Sequence, residues 1–485
     1  MPEVNLKQKT ISGVIWSFAE NFSLQAFSFV QGIILARLLM PSDYGLIAMT
    51  GIFFSISYCL IDSGFTTALI QKKERTEIDY STVYVTNMAL SLFFCLLLCA
   101  CSSIIADFYN EPLLKKIVCV NAILMFCGSF IAVQSTRLTI QLDFKAKSII
   151  NVIATVTTGI VSIVLAFLGF GVWSLIYPNF ASLLVKAFLF WRKQHWFPGF
   201  SFSYQSAKEF FGFGSKLMVT NLLASVYSNI YSLVIGKKYT ATDLGYYSKA
   251  ESYPSLISTS ITGVIGKVTF PVLCQINDDL PRLKEMYCRM LRVTCYVVFP
   301  LLMGLCALAK PLINVLITSK WGPAVPYMQV LCFSFMWHPV NQLNLNVITT
   351  LGRSDYILRA EIIKKIVGIS ILVATIPMGI FTMCIGIAFN SLIAVCINTH
   401  YTNKLLQVGF VKHIKEILSS IIISILMLGC VWSFISFLTN DIYQILFGIP
   451  LGIIVYVSIS YLIKNSEFFL ILSLVKEYLP INNKK

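Results

Sequence analysis

Apolar stretches of about twenty residues follow one another along most of this chain, separated by short polar breaks. A membrane helix takes about 20 apolar residues, since a rise of about 1.5 Å per residue must cover about 30 Å of hydrocarbon. Fourteen such helices are predicted, near residues 14–36, 45–69, 82–105, 113–134, 148–169, 172–191, 213–236, 246–272, 291–309, 324–350, 360–378, 382–402, 414–437 and 442–463. Several breaks, such as Phe170-Gly171 and Gly379-Ile380, leave almost no chain between helices, so no extramembrane domain is expected. The longest break, Arg192 to Lys216, holds Trp196, Phe197, Phe200, Phe202, Tyr204, Phe210 and Phe211. Aromatic residues in that density suit the membrane–water interface, and the segment is read as the boundary between two lobes.

The polar positions repeat. At an offset of 200 residues, Asn21 meets Asn221, Ser28 meets Ser228, Arg37 meets Lys237, Ser42 meets Thr242, Asp43 meets Asp243 and Gly45 meets Gly245. Ser42-Asp43 and Thr242-Asp243 are placed to cap the helix that follows, and the glycines permit close packing. The same motif in the same topological place predicts two parallel repeats of six helices, with two further helices appended. The expected divisions are residues 1–200, 201–405 and 406–485.

Composition narrows the class. Of 485 residues, 57% are hydrophobic and 12% charged, with mean hydropathy +0.77, against about 25% charged in soluble domains. A soluble enzyme, a disulfide scaffold and a disordered chain are excluded. The net charge of +15 lacks a basic run or a nucleic-acid motif, so no nucleic-acid partner is expected. Its distribution is informative: with the N-terminus in the cytoplasm, 27 of the 37 Lys and Arg fall on the inward side and 8 on the outward side. That asymmetry supports the helix count and places both termini in the cytoplasm. The first apolar stretch is longer than a signal-peptide core and reads as a permanent helix. The fourteen cysteines lack metal spacing or histidine companions and read as small apolar fillers; neither a metal nor a cofactor is expected.

The candidate chemistry lies inside the helices. Asn21, Gln25 and Ser28 share one face of the first helix, and Asn221, Ser225 and Ser228 repeat it on the seventh. Such stripes either join helices or line a wet cavity. His338, Asn341 and Gln342 add polar groups on the tenth helix. Glu20 and Asp62 fall in the inner half of the first lobe, where they would couple to a proton or cation, or pair with a nearby base. Lys186, Lys216 and Lys267 are placed near inner helix ends, Arg137 at the inner mouth and Lys249 on the outer side. Together they would form a basic cavity for an anionic headgroup.

Several motifs carry a family resemblance: Gln141 to Lys145 (QLDFK), Leu168 to Ser174 (LGFGVWS), Asp243 to Ala250 (DLGYYSKA), the stretch from Phe270 with Asp278, Asp279 and Arg282 downstream, and Thr350 to Asp355 (TLGRSD). Over about residues 10–405 the chain resembles the Wzx-type polysaccharide flippases, in the branch that includes colanic and teichuronic acid exporters. They belong to the superfamily that also holds multidrug extruders and lipid II flippases. The resemblance implies an all-α, multi-pass protein of the cytoplasmic membrane with a central cavity. It implies export of an undecaprenyl-diphosphate-linked oligosaccharide to the outer leaflet for surface polysaccharide: O-antigen, capsule or exopolysaccharide. It also implies an ion gradient, H+ or Na+, or the membrane potential as drive, and polysaccharide polymerase machinery as a partner.

Two other functions compete. A multidrug–cation antiporter would share fold and topology but favour an acidic, aromatic cavity. A membrane enzyme acting on the same lipid would need an acid or base within about 3 Å of the reacting group. His195, His338, His400 and His413 have no acidic partner at close sequence spacing, and GxGxxG, Walker A and HExxH motifs are absent, so the chain is read as a non-enzyme.

Overall fold

The computed structural model describes residues 3–62 and 64–478; side chains at 3–15, 17–18, 216–217 and 474–478 lie outside the description. The chain divides into two compact units, Met1–Gly245 and Tyr246–Lys485. The first contains α1 (Glu3–Leu38), α2 (Pro41–Asp62), α3 (Phe65–Gln71), α4 (Glu77–Tyr109), α5 (Leu113–Ile140), α6 (Phe144–Phe167), α7 (Pro178–Gln194) and α8 (Tyr204–Lys238). It ends with the first turn of α9 (Ala241–Cys274). In this unit α4 packs on α5, α1 on α6, α6 on α7 and α2 on α8.

The second unit holds the rest of α9, then α10 (Leu280–Ala307), α11 (Ala309–Ile317), α12 (Ala324–Phe335), α13 (His338–Thr350), α14 (Ser354–Thr375) and α15 (Ile380–Leu406). It closes with α16 (Phe410–Ser436), α17 (Asp441–Leu462) and α18 (Ser466–Tyr478). Here α10 packs on α16, α15 on α12 and α14, and α16 on α17. Contacts therefore divide the chain at 245/246, while the sequence repeat divides it at 200/201. The difference arises because α8, the first helix of the second repeat, packs on α2.

The protein is an all-α, multi-pass membrane protein. Among the described residues, eleven helical segments are long and apolar enough to cross a bilayer. They fall where eleven of the fourteen stretches were expected. The other three correspond to α1, with its polar stripe, to α12 with α13, and to α14, whose first turns carry Asp355, Arg359 and Glu361.

Two expected single helices are broken. The stretch 45–69 divides into α2 and α3 around Gly64, whose φ of 73° lies in the left-handed region. The stretch 324–350 divides into α12 and α13 at Met336-Trp337. Pro339 explains the second break: it has no N–H to donate, and its ring crowds the turn before it. In a membrane a carbonyl freed by a break needs a new donor. Ser258 of α9 supplies it, its hydroxyl donating to the Phe335 carbonyl at 2.8 Å.

Local chemistry repeats as well. Asp43 accepts the Met40 N–H at 2.9 Å, and Asp243 accepts the Thr240 N–H at 3.2 Å and its hydroxyl at 2.7 Å. The aspartates thus cap α2 and α9 from the third helical position, reaching back to residues 40 and 240, while Ser42 and Thr242 lie inside the first turn. The QLDFK and TLGRSD motifs are one turn used twice. Leu142 (φ 58°) links α5 to α6 and Gly352 (φ 70°) links α13 to α14, with Asp143 N–H and Arg353 N–H each returning to a carbonyl five residues back.

Unit 2 is pinned by Asn344, which is fully buried. Its carbonyl accepts from Tyr287 at 2.9 Å and Thr402 at 2.8 Å, and its amide donates to the Val340 carbonyl at 3.1 Å. Replacing Asn344 with Leu strands two buried hydroxyls. The expected loss is about 2–3 kcal/mol, read as a lower unfolding temperature in detergent, whereas Ser28→Ala on an exposed face should change stability by less than about 0.5 kcal/mol.

Candidate functional site

Lys186 stands eight residues before the end of α7, in the crossing segment Gly171–Gln194. It lines a cavity of about 440 Å³ enclosed by α2, α5 and α7 within unit 1. The polar groups around it are Thr50 and Tyr58 from α2, Asn121 from α5, and Asn179 and Ser182 from α7. Among the described residues Lys186 has no hydrogen-bond or ion-pair partner, although Glu20 is near enough for its charge to act on the ammonium. A smaller cavity of about 190 Å³ shares Tyr58 and Gly128 with the first and is lined by Asp62, Thr66, Asn87 and Ser129. Lys186 and Asp62 therefore lie on adjoining cavities.

Glu20 is half-buried on α1 and held by α6. Ser148 and Asn151 each donate to its carboxylate at 2.7 Å. Position 20 is thus a hydrogen-bonded helix junction whose charge also reaches the Lys186 cavity. Asn21, Gln25 and Ser28 are exposed on α1. On α8, Asn221 and Ser228 are exposed and Ser225 is half-buried.

The other basic candidates are dispersed. The Arg137 guanidinium lies over Trp196 at 4.5 Å and Tyr80 at 5.0 Å, with Glu77 3.8 Å away. Trp196 in turn donates to Glu77 at 2.8 Å. This places Arg137 in an aromatic cage that fastens the segment after α7 to α4, away from the Lys186 cavity. Lys72 continues the fastening, at 3.1 Å from Asp79 and 3.2 Å from Glu209. Partial burial alone would lower the Lys72 ammonium, but hydrogen bonds to these two carboxylates raise it above its usual range. In unit 2, Lys249 is buried with its ammonium 5.5 Å from the Tyr253 ring, and Lys267 is exposed. The Lys216 side chain lies outside the described residues.

The polar groups of α13 act mostly as joints. Asn341 accepts from Asn398 of α15 at 2.7 Å, while Gln342 donates to Asn346 one turn further along α13 itself, at 2.9 Å, and Asn346 in turn donates to Thr269 of α9. His338 is exposed at the start of α13, its ring 4.7 Å from Phe335. Unit 2 also contains an apolar slot of about 440 Å³ lined by Pro300, Gly304, Met427, Gly448, Gly452 and Tyr456.

Sequence reasoning missed Asn121, Asn179 and Ser182. Asn121 is an isolated polar residue within α5, but Asn179 and Ser182 precede Lys186 on α7 at steps of three and four, and that short polar stripe was the available signal. Arg137→Lys should keep the charge but lose the planar stacking on Trp196. About 1 kcal/mol of stability should be lost, seen as faster proteolysis of the 195–203 segment, with the Lys186 cavity unaffected.

Comparison with known proteins adds the following. A family model described as "Polysaccharide biosynthesis protein" matches residues 34–326. The chain is 24% identical to the lipopolysaccharide biosynthesis protein WzxC of Escherichia coli K12, over 82% of this chain and 80% of that one. It is 27% identical to the succinoglycan biosynthesis transport protein ExoT of Rhizobium meliloti, covering 69% and 67%. Among solved structures it is similar to the lipid II flippase MurJ in an inward closed conformation. That match has a TM-score of 0.74 at 15% identity and covers 93% of this chain and 98% of the other. At that identity the likeness establishes the fold.

Proposed function

Because the chain belongs to the polysaccharide biosynthesis protein family, we propose that it is a flippase carrying a polyprenyl-diphosphate-linked oligosaccharide from the inner to the outer leaflet of the cytoplasmic membrane. The observation that carries this reading is Lys186: a lysine within a membrane-crossing segment, on a polar cavity wall, with no ion-pair partner among the described residues. A charge within a crossing segment is costly, up to about 2.5–3.5 kcal/mol at the bilayer centre on insertion scales, so such a position implies a task for it.

The physical demands of the cargo match the parts. A diphosphate sugar cannot enter hydrocarbon unaided, and a cavity bearing Lys186, Asn121, Asn179 and Ser182 replaces its water and offsets its charge. A polyprenyl tail needs no polar partner and can stay in the lipid. Several weak hydrogen bonds favour release over a single tight clamp, and alternating access needs only rigid-body rocking. Glu20 and Asp62 are the groups proposed to bind the coupling ion, H+ or Na+. The released cargo would pass to polysaccharide polymerase machinery. Lys249, Lys267 and Lys216 remain candidate headgroup contacts, and no group is proposed to act as a catalyst.

The acidic residue on the small cavity, Asp62, favours a second reading, a cation-coupled exporter of a cationic small molecule. One experiment separates the two. Proteoliposomes holding the purified chain receive a fluorescent polyprenyl-diphosphate oligosaccharide, and its exposure to an external glycosidase is followed. Transport is expected, with a loss of ten- to a hundredfold in Lys186→Met, the size of a charged hydrogen bond worth about 1.5–3 kcal/mol. Export of a cationic dye with no movement of the lipid-linked sugar would replace the first reading by the second.

A further inference from the structure

The motif that repeats at an offset of 200 has a structural counterpart that capping does not explain. Gly45 of α2 faces the carbonyl of Ala241 in the first turn of α9, where an added Cβ would lie 1.7 Å from the oxygen. Gly245 faces the carbonyl of Pro41, where an added Cβ would lie 1.9 Å from the oxygen and 3.3 Å from the Gly45 nitrogen. Residues 45 and 245 are repeat equivalents, and so are 41 and 241. The contact is therefore reciprocal, each glycine seating the first residue of the other helix, as in a two-fold symmetric interface. Pro41, Gly45, Leu46, Ala241, Leu244 and Gly245 are all buried around it.

Neither glycine has a positive φ, so conformation does not require them. What requires them is space: two helix backbones touch where any side chain would hold them apart. The aspartate caps at 43 and 243 fix where each helix begins, and so set these residues in register.

We propose that this crossing is the outer seal of the transport path, closed by backbone shape at Gly45 and Gly245, and that it parts each time cargo leaves outward. On the topology expected from the charge distribution, α2 and α9 both begin at the outer face. The closest atoms at the crossing are backbone ones, of Pro41, Gly45, Ala241 and Gly245, so what parts there is a backbone contact, with the buried Leu46 and Leu244 beside it. The purpose of the seal rests on the transport reading; its existence does not.

The test uses the full chain in native membranes, with the exposed Cys396 and Cys430 replaced by Ser and a protease site in the 195–203 segment. Ser42→Cys with Thr242→Cys is treated with a reducible, flexible bifunctional thiol reagent, and cross-linking is read as halves that stay together after cleavage. Efficient cross-linking is expected, falling at least fivefold when Gly45→Leu or Gly245→Leu is added. The cross-linked chain should flip lipid-linked sugar at least tenfold more slowly, with full recovery on reduction. Because cross-linking needs no bulky substitution, the test survives if the leucine variants fail to fold. A reporter independent of cargo is Gln25→Cys labelled from outside by a membrane-impermeant maleimide; labelling should slow at least tenfold on cross-linking. If cross-linking alters neither labelling nor flipping, the crossing is a static joint and the proposal is wrong. If labelling slows while no lipid-linked sugar is flipped even before cross-linking, the seal stands and the transport reading fails.

Discussion

Every polar group placed in hydrocarbon must be satisfied by the protein itself, and this constraint organises the structure. It explains why the break between α12 and α13 coincides with Ser258, whose hydroxyl occupies the Phe335 carbonyl. It explains why Asn344 gathers Tyr287 and Thr402, and why Glu20 meets two donors from α6. Each of these three side chains, costly alone, becomes a joint between helices. Lys186 does not follow the pattern: it faces a cavity with amide and hydroxyl groups around it but no ion-pair partner among the described residues. A joint and a binding site differ here in whether the polar group's demand has already been met.

The helices themselves were legible because lipid leaves little choice. An apolar stretch of about twenty residues has to be helical, and charge asymmetry then orders the stretches. The two broken helices were less legible. Pro339 lies in view in the sequence, but proline within a membrane helix need not break it: α9 runs unbroken through Pro254 and Pro271. What permits the break at 336–337 is the donor on a different helix, and hydropathy carries no information about such a partner.

The candidate site was legible in part for a related reason. A lysine in an apolar run announces itself, so Lys186 was found, whereas the cavity it lines is assembled from α2, α5 and α7 and shows only in the packing. Arg137 was equally conspicuous, yet the structure surrounds it with Tyr80, Trp196 and Glu77, residues distant in sequence. The stripe on α13 has both expected characters. Asn341 joins α15 and Gln342 bonds within α13, while His338 remains exposed. Charge and period locate polar residues on a helix; only packing shows whether another helix has already claimed them.

The repeat shows how one feature serves local and longer-range structure together. Asp43 and Asp243 set the first residues of α2 and α9, and those residues offer the carbonyls onto which Gly245 and Gly45 close. Losing a cap would therefore do more than fray a helix end at a cost of about 1 kcal/mol. It would also displace the backbone that the opposite glycine must meet. Small residues at a crossing and acidic residues one turn away are then a single device, in which the cap supplies the register and the glycine supplies the approach. A contact built this way is specific because of backbone position, and easily lost because a side chain at either glycine would prevent it. That specificity suits a closure that must form faithfully each time.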